Sequence, residues 1–230
     1  MKFTVVTLFP RMFEGAFGES IVGRARESGK VLIDFVNPRD FSKDRHRKVD
    51  DRPYGGGPGM IMMAEPLYQA LKSIPGRRNG RWVVHLSPQG RGFDSRVSAE
   101  FARKKHVVLV CGHYEGIDER LRTEFDDEVS MGDFVLTGGE IPAMAVVDAV
   151  TRLLPGVLAE DALKAESFVP SSSGCRRLDH PHYTRPRAWR GMKVPGALLS
   201  GDHERIGAWR RRAAASATRR KRPDLLKEAS

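Results

Sequence analysis

"HVVLVCGHYEGIDER", residues 106–120, runs through four consecutive apolar residues, Val107 to Val110, and then breaks into a loop bounded by Gly112 and Gly116. A strand with one wet face alternates apolar and polar side chains, whereas an uninterrupted apolar run of strand length is buried on both faces. Residues 81–86, "RWVVHL", repeat the pattern and lead into a second glycine loop, "LSPQGRGF" (86–93). Between the two lies "SRVSAEFARKK" (95–105), a helical segment with Ser95 expected as its N-cap. Working outward, "KFTVVTLF" (2–9) and "VLIDFV" (31–36) are further strands, stopped by Pro10 and by Asn37-Pro38. Residues 11–28 read as a helix closed by Gly29, residues 64–73, 117–125 and 139–154 as helices, and "EVS" (128–130) as a lead into a third glycine loop. Buried strands separated by helical crossovers predict an α/β fold, a mostly parallel sheet with helices on both faces, over about residues 1–155.

After Pro155 the character changes. Residues 156–200 carry proline, glycine and serine punctuation with little periodicity, and 203–217 read as a helix. Residues 205–230 hold nine Lys or Arg against Asp224 and Glu228, a net +7, so much of the chain's charge of +10 sits in one terminal segment. A surplus of that size points to a polyanionic partner. Cys111 and Cys175 match no metal or disulfide spacing and read as free thiols of a reducing compartment. The apolar run before Pro10 is too short for a signal peptide, and none approaches the ~20 residues of a membrane helix. A soluble cytoplasmic protein is expected.

The third loop lies in "SMGDFVLTGGEIPAM" (130–144). All three glycine loops follow strands, and ligands of open α/β sheets bind outside the carboxyl ends of strands. None carries G-x-G-x-x-G or G-K-[ST], and basic residues suited to phosphate are almost lacking. Such a pocket suits an adenosine-type ligand without phosphates; the alternative is that the glycines only shape tight turns.

Seven strings, "DDRPYGGGPGM" (50–60), "LSPQG" (86–90), "CGHYEGIDER" (111–120), "GDFVLTGGEIPAM" (132–144), "RLLPGVL" (152–158), "PHYTRP" (181–186) and "VPGALLSGDHERIGAWR" (194–210), together resemble the bacterial tRNA (guanine-37-N1)-methyltransferases. The resemblance spans essentially the whole chain. It implies the SPOUT fold with a trefoil knot near the cofactor loops, S-adenosylmethionine as methyl donor, and a homodimer with active sites at the subunit interface. It also divides the chain into a cofactor-binding domain (1–158), a flexible linker (159–178) and a small, basic, helical tRNA-binding domain (179–230).

By resemblance the cofactor residues are Leu86, Ser87 and Pro88 in the first loop and Gly112, Tyr114, Glu115 and Gly116 in the second. The third supplies Met131, Gly132, Asp133, Phe134, Val135 and Leu136, followed by Gly138, Gly139 and Pro142. Asp50, Tyr54, Gly55, Gly57, Pro58, Gly59 and Asp179 are assigned to the target guanine. Guanine N1 carries a proton, so methylation needs alignment with the methyl–sulfur bond, a base, and stabilisation of charge on O6. The resemblance places the O6 arginine at Arg152. The family's usual base is an aspartate just before a Ser-Phe pair, and here Glu166 stands in that place. Asp161 and Asp179 are rival bases. Mg²⁺ enters as a second candidate cofactor, although no metal-ligand cluster is legible. Two other readings remain open at this point: a phosphate-type nucleotide enzyme, and a non-catalytic RNA-binding protein on a methyltransferase scaffold.

Overall fold

The computed structural model describes residues 1–76, 80–169 and 175–226. It divides into two compact units, Met1–Leu158 and Ala159–Ser230. The expected linker at 159–178 includes residues 170–174, and the basic tail includes Lys227 and Glu228; these lie outside the described residues.

The first unit is built on a five-stranded, wholly parallel sheet: β1 (Lys2–Val6), β2 (Leu32–Val36), β5 (Arg81–Gly92), β6 (His106–Cys111) and β7 (Asp127–Ser130), in the order β2-β1-β6-β5-β7. Side chains on a strand alternate between faces. Along β6, Val107, Leu109 and Cys111 enter one core and Val108 and Val110 the other, all five buried. The first core is closed by α1 (Glu14–Gly18), α2 (Ser20–Glu27), α4 (Ser95–Ala102) and α5 (Glu140–Thr151), the second by α3 (Ala64–Ser73). Helices on both faces explain why the central strand β6 is apolar without a break from Val107 to Val110, whereas the edge strand β2 is largely exposed. A two-stranded antiparallel hairpin, β3 (Asp50–Asp51) with β4 (Ile61–Met62), holds the "RPYGGGPG" loop.

Local departures from the sequence reading have physical causes. The helix expected over 11–28 is a 3-10 turn at Pro10–Phe13 followed by α1 and α2, broken where Ser20 adopts a left-handed φ of 53°. Asp94, not Ser95, caps α4, its carboxylate accepting from the Arg96 and Val97 amides at 2.8 and 3.1 Å. Residues 119–124 form a 3-10 turn rather than an α-helix. In β5, Leu86 and Arg91 both face Val129 of β7, so residues 87–90 leave the ladder as a loop.

The second unit contains α6 (Glu160–Lys164), a hairpin of β8 (Ala188–Trp189) with β9 (Met192–Lys193), and α7 (His203–Lys221). Asp202 caps α7 by accepting from the Glu204 and Arg205 amides. Arg219, Arg220 and Lys221 fill its last turn, where positive charge complements the helix dipole. Among the described residues no helix is long and apolar enough to cross a membrane.

Candidate active site

The sheet order sets the carboxyl ends of β6, β5 and β7 side by side, so the loops that follow them meet. They enclose a cavity of about 310 Å³, within the range of small-molecule sites. Its wall takes Leu86, Ser87 and Pro88 from the first loop, Gly112, Tyr114, Glu115 and Gly116 from the second, and Met131, Phe134, Val135 and Leu136 from the third. Gly138, Gly139 and Pro142 complete it at the start of α5. Of the cofactor residues expected from sequence, Gly132 and Asp133 are the two that do not line the cavity.

The third loop is clasped to the second. The Gly139 amide donates to the Gly112 carbonyl at 2.8 Å, and His113 and Gly138 form a β-bridge. Tyr114, at the tip of "GHYEG", holds a left-handed φ of 60° with its ring edge-on to His113. Non-glycine residues held there store strain of the kind that clusters at ligand sites.

The glycine tract is held against the same loop. The Glu115 amide donates to the Met60 carbonyl (3.0 Å), the Met62 amide to Gly116 (2.9 Å), and the Asp118 amide to Met62 (3.0 Å). Gly59 lies on the Glu115 side chain so closely that a methyl group there would come within 2.4 Å of its carboxylate. Of the expected guanine-contacting residues, Asp50 pairs with Met62 across the hairpin, Gly55, Gly57, Pro58 and Gly59 form the tract, and Tyr54 is fully exposed on it.

Sequence reasoning missed a polar wall of the cavity, His85, Glu128 and Arg122, backed by the Phe125 ring. His85 Nδ1 lies 3.1 Å from a Glu128 oxygen, its ring stacks on Phe125, and Arg122 reaches the other Glu128 oxygen at 3.3 Å. Burial holds the His85 pKa below its ordinary value of 6.5, against the opposing pull of Glu128. The signal was a lone polar residue inside "RWVVHL", directly before the glycine loop.

Arg152 does not reach the cavity of its own chain. It caps the far end of α5, about 15 Å of helix beyond Pro142 at 1.5 Å per residue. Glu166 and Asp179 belong to the second unit. There, Asp179 is tied by its neighbours: His180 donates its amide to one oxygen at 2.6 Å, the His180 ring lies 2.6 Å from that oxygen, and the His182 ring lies 2.8 Å from the other. Burial raises the Asp179 pKa, but the hydrogen bonds from His182 and His180 outweigh it and hold the carboxyl below its ordinary range. Asp161 is fully exposed, with Lys164 3.9 Å away.

The family model for tRNA (guanine-1)-methyltransferase, TrmD, matches residues 1–228. A tRNA (guanine-N(1)-)-methyltransferase of Moorella thermoacetica is 50% identical over 230 residues, covering 98% of this chain and 90% of that protein. The enzyme of the same name from Pelotomaculum thermopropionicum is 53% identical over 234 residues, covering 100% of this chain and 91% of the other. That of Anaeromyxobacter sp. is 51% identical over 227 residues, covering 98% and 91%. With a matching family model along nearly its whole length and relatives at this level of identity, the chain belongs to the tRNA (guanine-1)-methyltransferase family.

Proposed function

We propose that this methyltransferase moves the methyl group of S-adenosylmethionine to N1 of the guanine at position 37 of tRNA, 3′ of the anticodon. The observation that carries the reading is the juxtaposition of two loops: the strand-end cavity lined by Gly112–Gly116, and the glycine tract bonded to it through Met60 and Met62. The cavity offers backbone edges for an adenine and ribose, and Arg122 on its wall is committed to Glu128. A sulfonium meets a carboxylate-bearing wall there, Glu115 and Glu128 both lining the cavity. A neutral His85 also avoids repelling that cation. The glycine tract beside Glu115 is the surface we assign to guanine.

The base we assign is Glu166. Asp179 is a poorer proton acceptor because its oxygens already take hydrogen bonds from His180 and His182. Arg152 is assigned to charge developing on O6. Its distance from the cavity of its own chain supports a homodimer in which one copy's arginine completes the other's site. Ile141 on α5, with Phe134 and Val135 in the adjoining loop, leaves an exposed apolar surface that a second copy would cover.

The return of the third loop to the end of β6 supports the trefoil knot of the SPOUT fold. We read residues 179–230 as the tRNA-binding domain, α7 facing tRNA phosphates with its arginines. The protein's place is the cytoplasm, where tRNA is matured. Mg²⁺ has no assigned ligands in the catalytic scheme. The test is methyl-labelled S-adenosylmethionine with the full chain and tRNA. Label is expected at N1 of guanine 37; equal label on a transcript with adenine at 37 would sink the assignment.

A further inference from the structure

We propose that Asp179, His180 and His182 form a binding site for one divalent transition-metal ion of the zinc class. One ligand atom from each of the three lies within 4.8 Å of the others. The carboxylate is central: Oδ1 lies 2.6 Å from His180 Nδ1 and Oδ2 lies 2.8 Å from His182 Nε2. Zinc bonds of about 2.0–2.2 Å to nitrogen and oxygen set ligand atoms roughly 3.3 Å apart in a tetrahedron. Binding would therefore open the 2.6 and 2.8 Å contacts to the Asp179 carboxylate by roughly half an ångström.

The tetrapeptide Asp179-His180-Pro181-His182 is suited to it. Its backbone is restrained by Pro181, and the Asp179 amide donates to Ser167 Oγ at 2.9 Å. Anchoring the peptide that carries the ligands reduces what binding must order. Two imidazole nitrogens and one carboxylate oxygen select zinc, cobalt or nickel; magnesium prefers an all-oxygen shell. Three protein ligands leave a fourth position for water or another ligand. The site is open on one side, since the His182 side chain is 71% exposed while that of His180 is 12% exposed and lies perpendicular to the Trp209 ring.

The competing account is that two imidazoles merely share one carboxylate. The proposal does not depend on the methyl-transfer reading, because binding is measured without tRNA or S-adenosylmethionine. The full-length chain, stripped with a chelator and dialysed, is titrated with Zn²⁺ by calorimetry. One equivalent per chain is expected, and millimolar Mg²⁺ should not displace it. Co²⁺ should give visible d–d absorption and quench Trp209, whose ring lies 6.2 Å from that of His180. His182→Ala and His180→Ala should each weaken Zn²⁺ by at least about tenfold. Because His182 is exposed, its variant is expected to keep the wild-type circular dichroism. Less than one equivalent bound, displacement by Mg²⁺, or wild-type affinity in both histidine variants would overturn the site.

Discussion

The α-carbon of Gly139 lies against that of Cys111, so that a methyl group built on Gly139 would sit 2.6 Å from the Cys111 Cα and 3.1 Å from the Gly112 nitrogen. Both obstacles are backbone at the end of a central strand, and neither can rotate away. Gly112 differs: a methyl there would meet His85 Nε2 at 3.4 Å and Ile117 at 3.7 Å, ordinary contacts with side chains of the cavity wall.

The two glycines should therefore separate folding from binding. Gly139→Ala is expected to lower stability by about 1–3 kcal/mol through forced backbone displacement, read from denaturant unfolding. Gly112→Leu should keep the wild-type unfolding transition and lose S-adenosylmethionine binding in calorimetry, its side chain filling the cavity. Wild-type affinity in Gly112→Leu would remove this cavity as the cofactor site.

His85 supplies a test of the polar wall. Its histidine signal should titrate below 6.5 by NMR, and Glu128→Gln should lower it further by removing the carboxylate that favours the charged ring. Unfolded, His85 binds a proton near 6.5; folded, it does so only at lower pH. Its stabilising contribution is therefore present above that ordinary value and lost as pH falls through the folded one. A rise of the His85 midpoint in Glu128→Gln would show that the pair is wrongly placed.

The parallel sheet was legible because Val107–Val110 and Trp82–Val84 can be continuously apolar only when both faces are covered. The loops that would gather were legible for the same reason, since they mark the carboxyl ends of those strands. Contacts made by strand pairing were not: His85 and Glu128 are 43 residues apart and meet through the β5–β7 register. The hairpin under the glycine tract has two residues per strand, too few to show a period. Ser95 and Asp94 are both good caps, and only backbone geometry chose between them. Nor could spacing in the sequence show that α5 carries Arg152 away from the cavity that its first turn helps to build.

α7 should act through charge. Arg210, Arg211 and Arg212 are exposed, and replacing all three by alanine should weaken tRNA binding. If all three contact phosphate, the slope of log affinity against log salt should shrink by about 2–3 units. S-adenosylmethionine affinity should not change. An unchanged salt slope would assign the tRNA contact elsewhere.

Glu166→Ala should slow single-turnover methyl transfer about 10²–10⁴-fold with little effect on cofactor affinity. Glu166→Asp should retain much of the rate, because it restores the residue usual in the family. Asp161→Ala should be close to wild type. A near-normal Glu166→Ala beside an inactive Asp161→Ala or Asp179→Ala would transfer the base role to one of those aspartates.

Arg152 offers the sharpest test of assembly. Alone, Arg152→Ala should be as slow as Glu166→Ala, through lost stabilisation of O6. Alone, Gly112→Leu should be inactive because its cavity is filled. In a twofold dimer whose sites take the cavity from one chain and the arginine from the other, a mixed dimer keeps one site with both parts intact. Equal mixing with free exchange makes half the dimers mixed, so about a quarter of wild-type activity should return. If arginine and cavity came from the same chain, each chain of the mixed dimer would carry one defect in its own site and nothing would return. The measurement is methyl transfer after co-refolding the two inactive variants in equal amounts. Persistent inactivity, with mixed dimers demonstrated by differential tagging, would place Arg152 in its own chain's site or outside the chemistry.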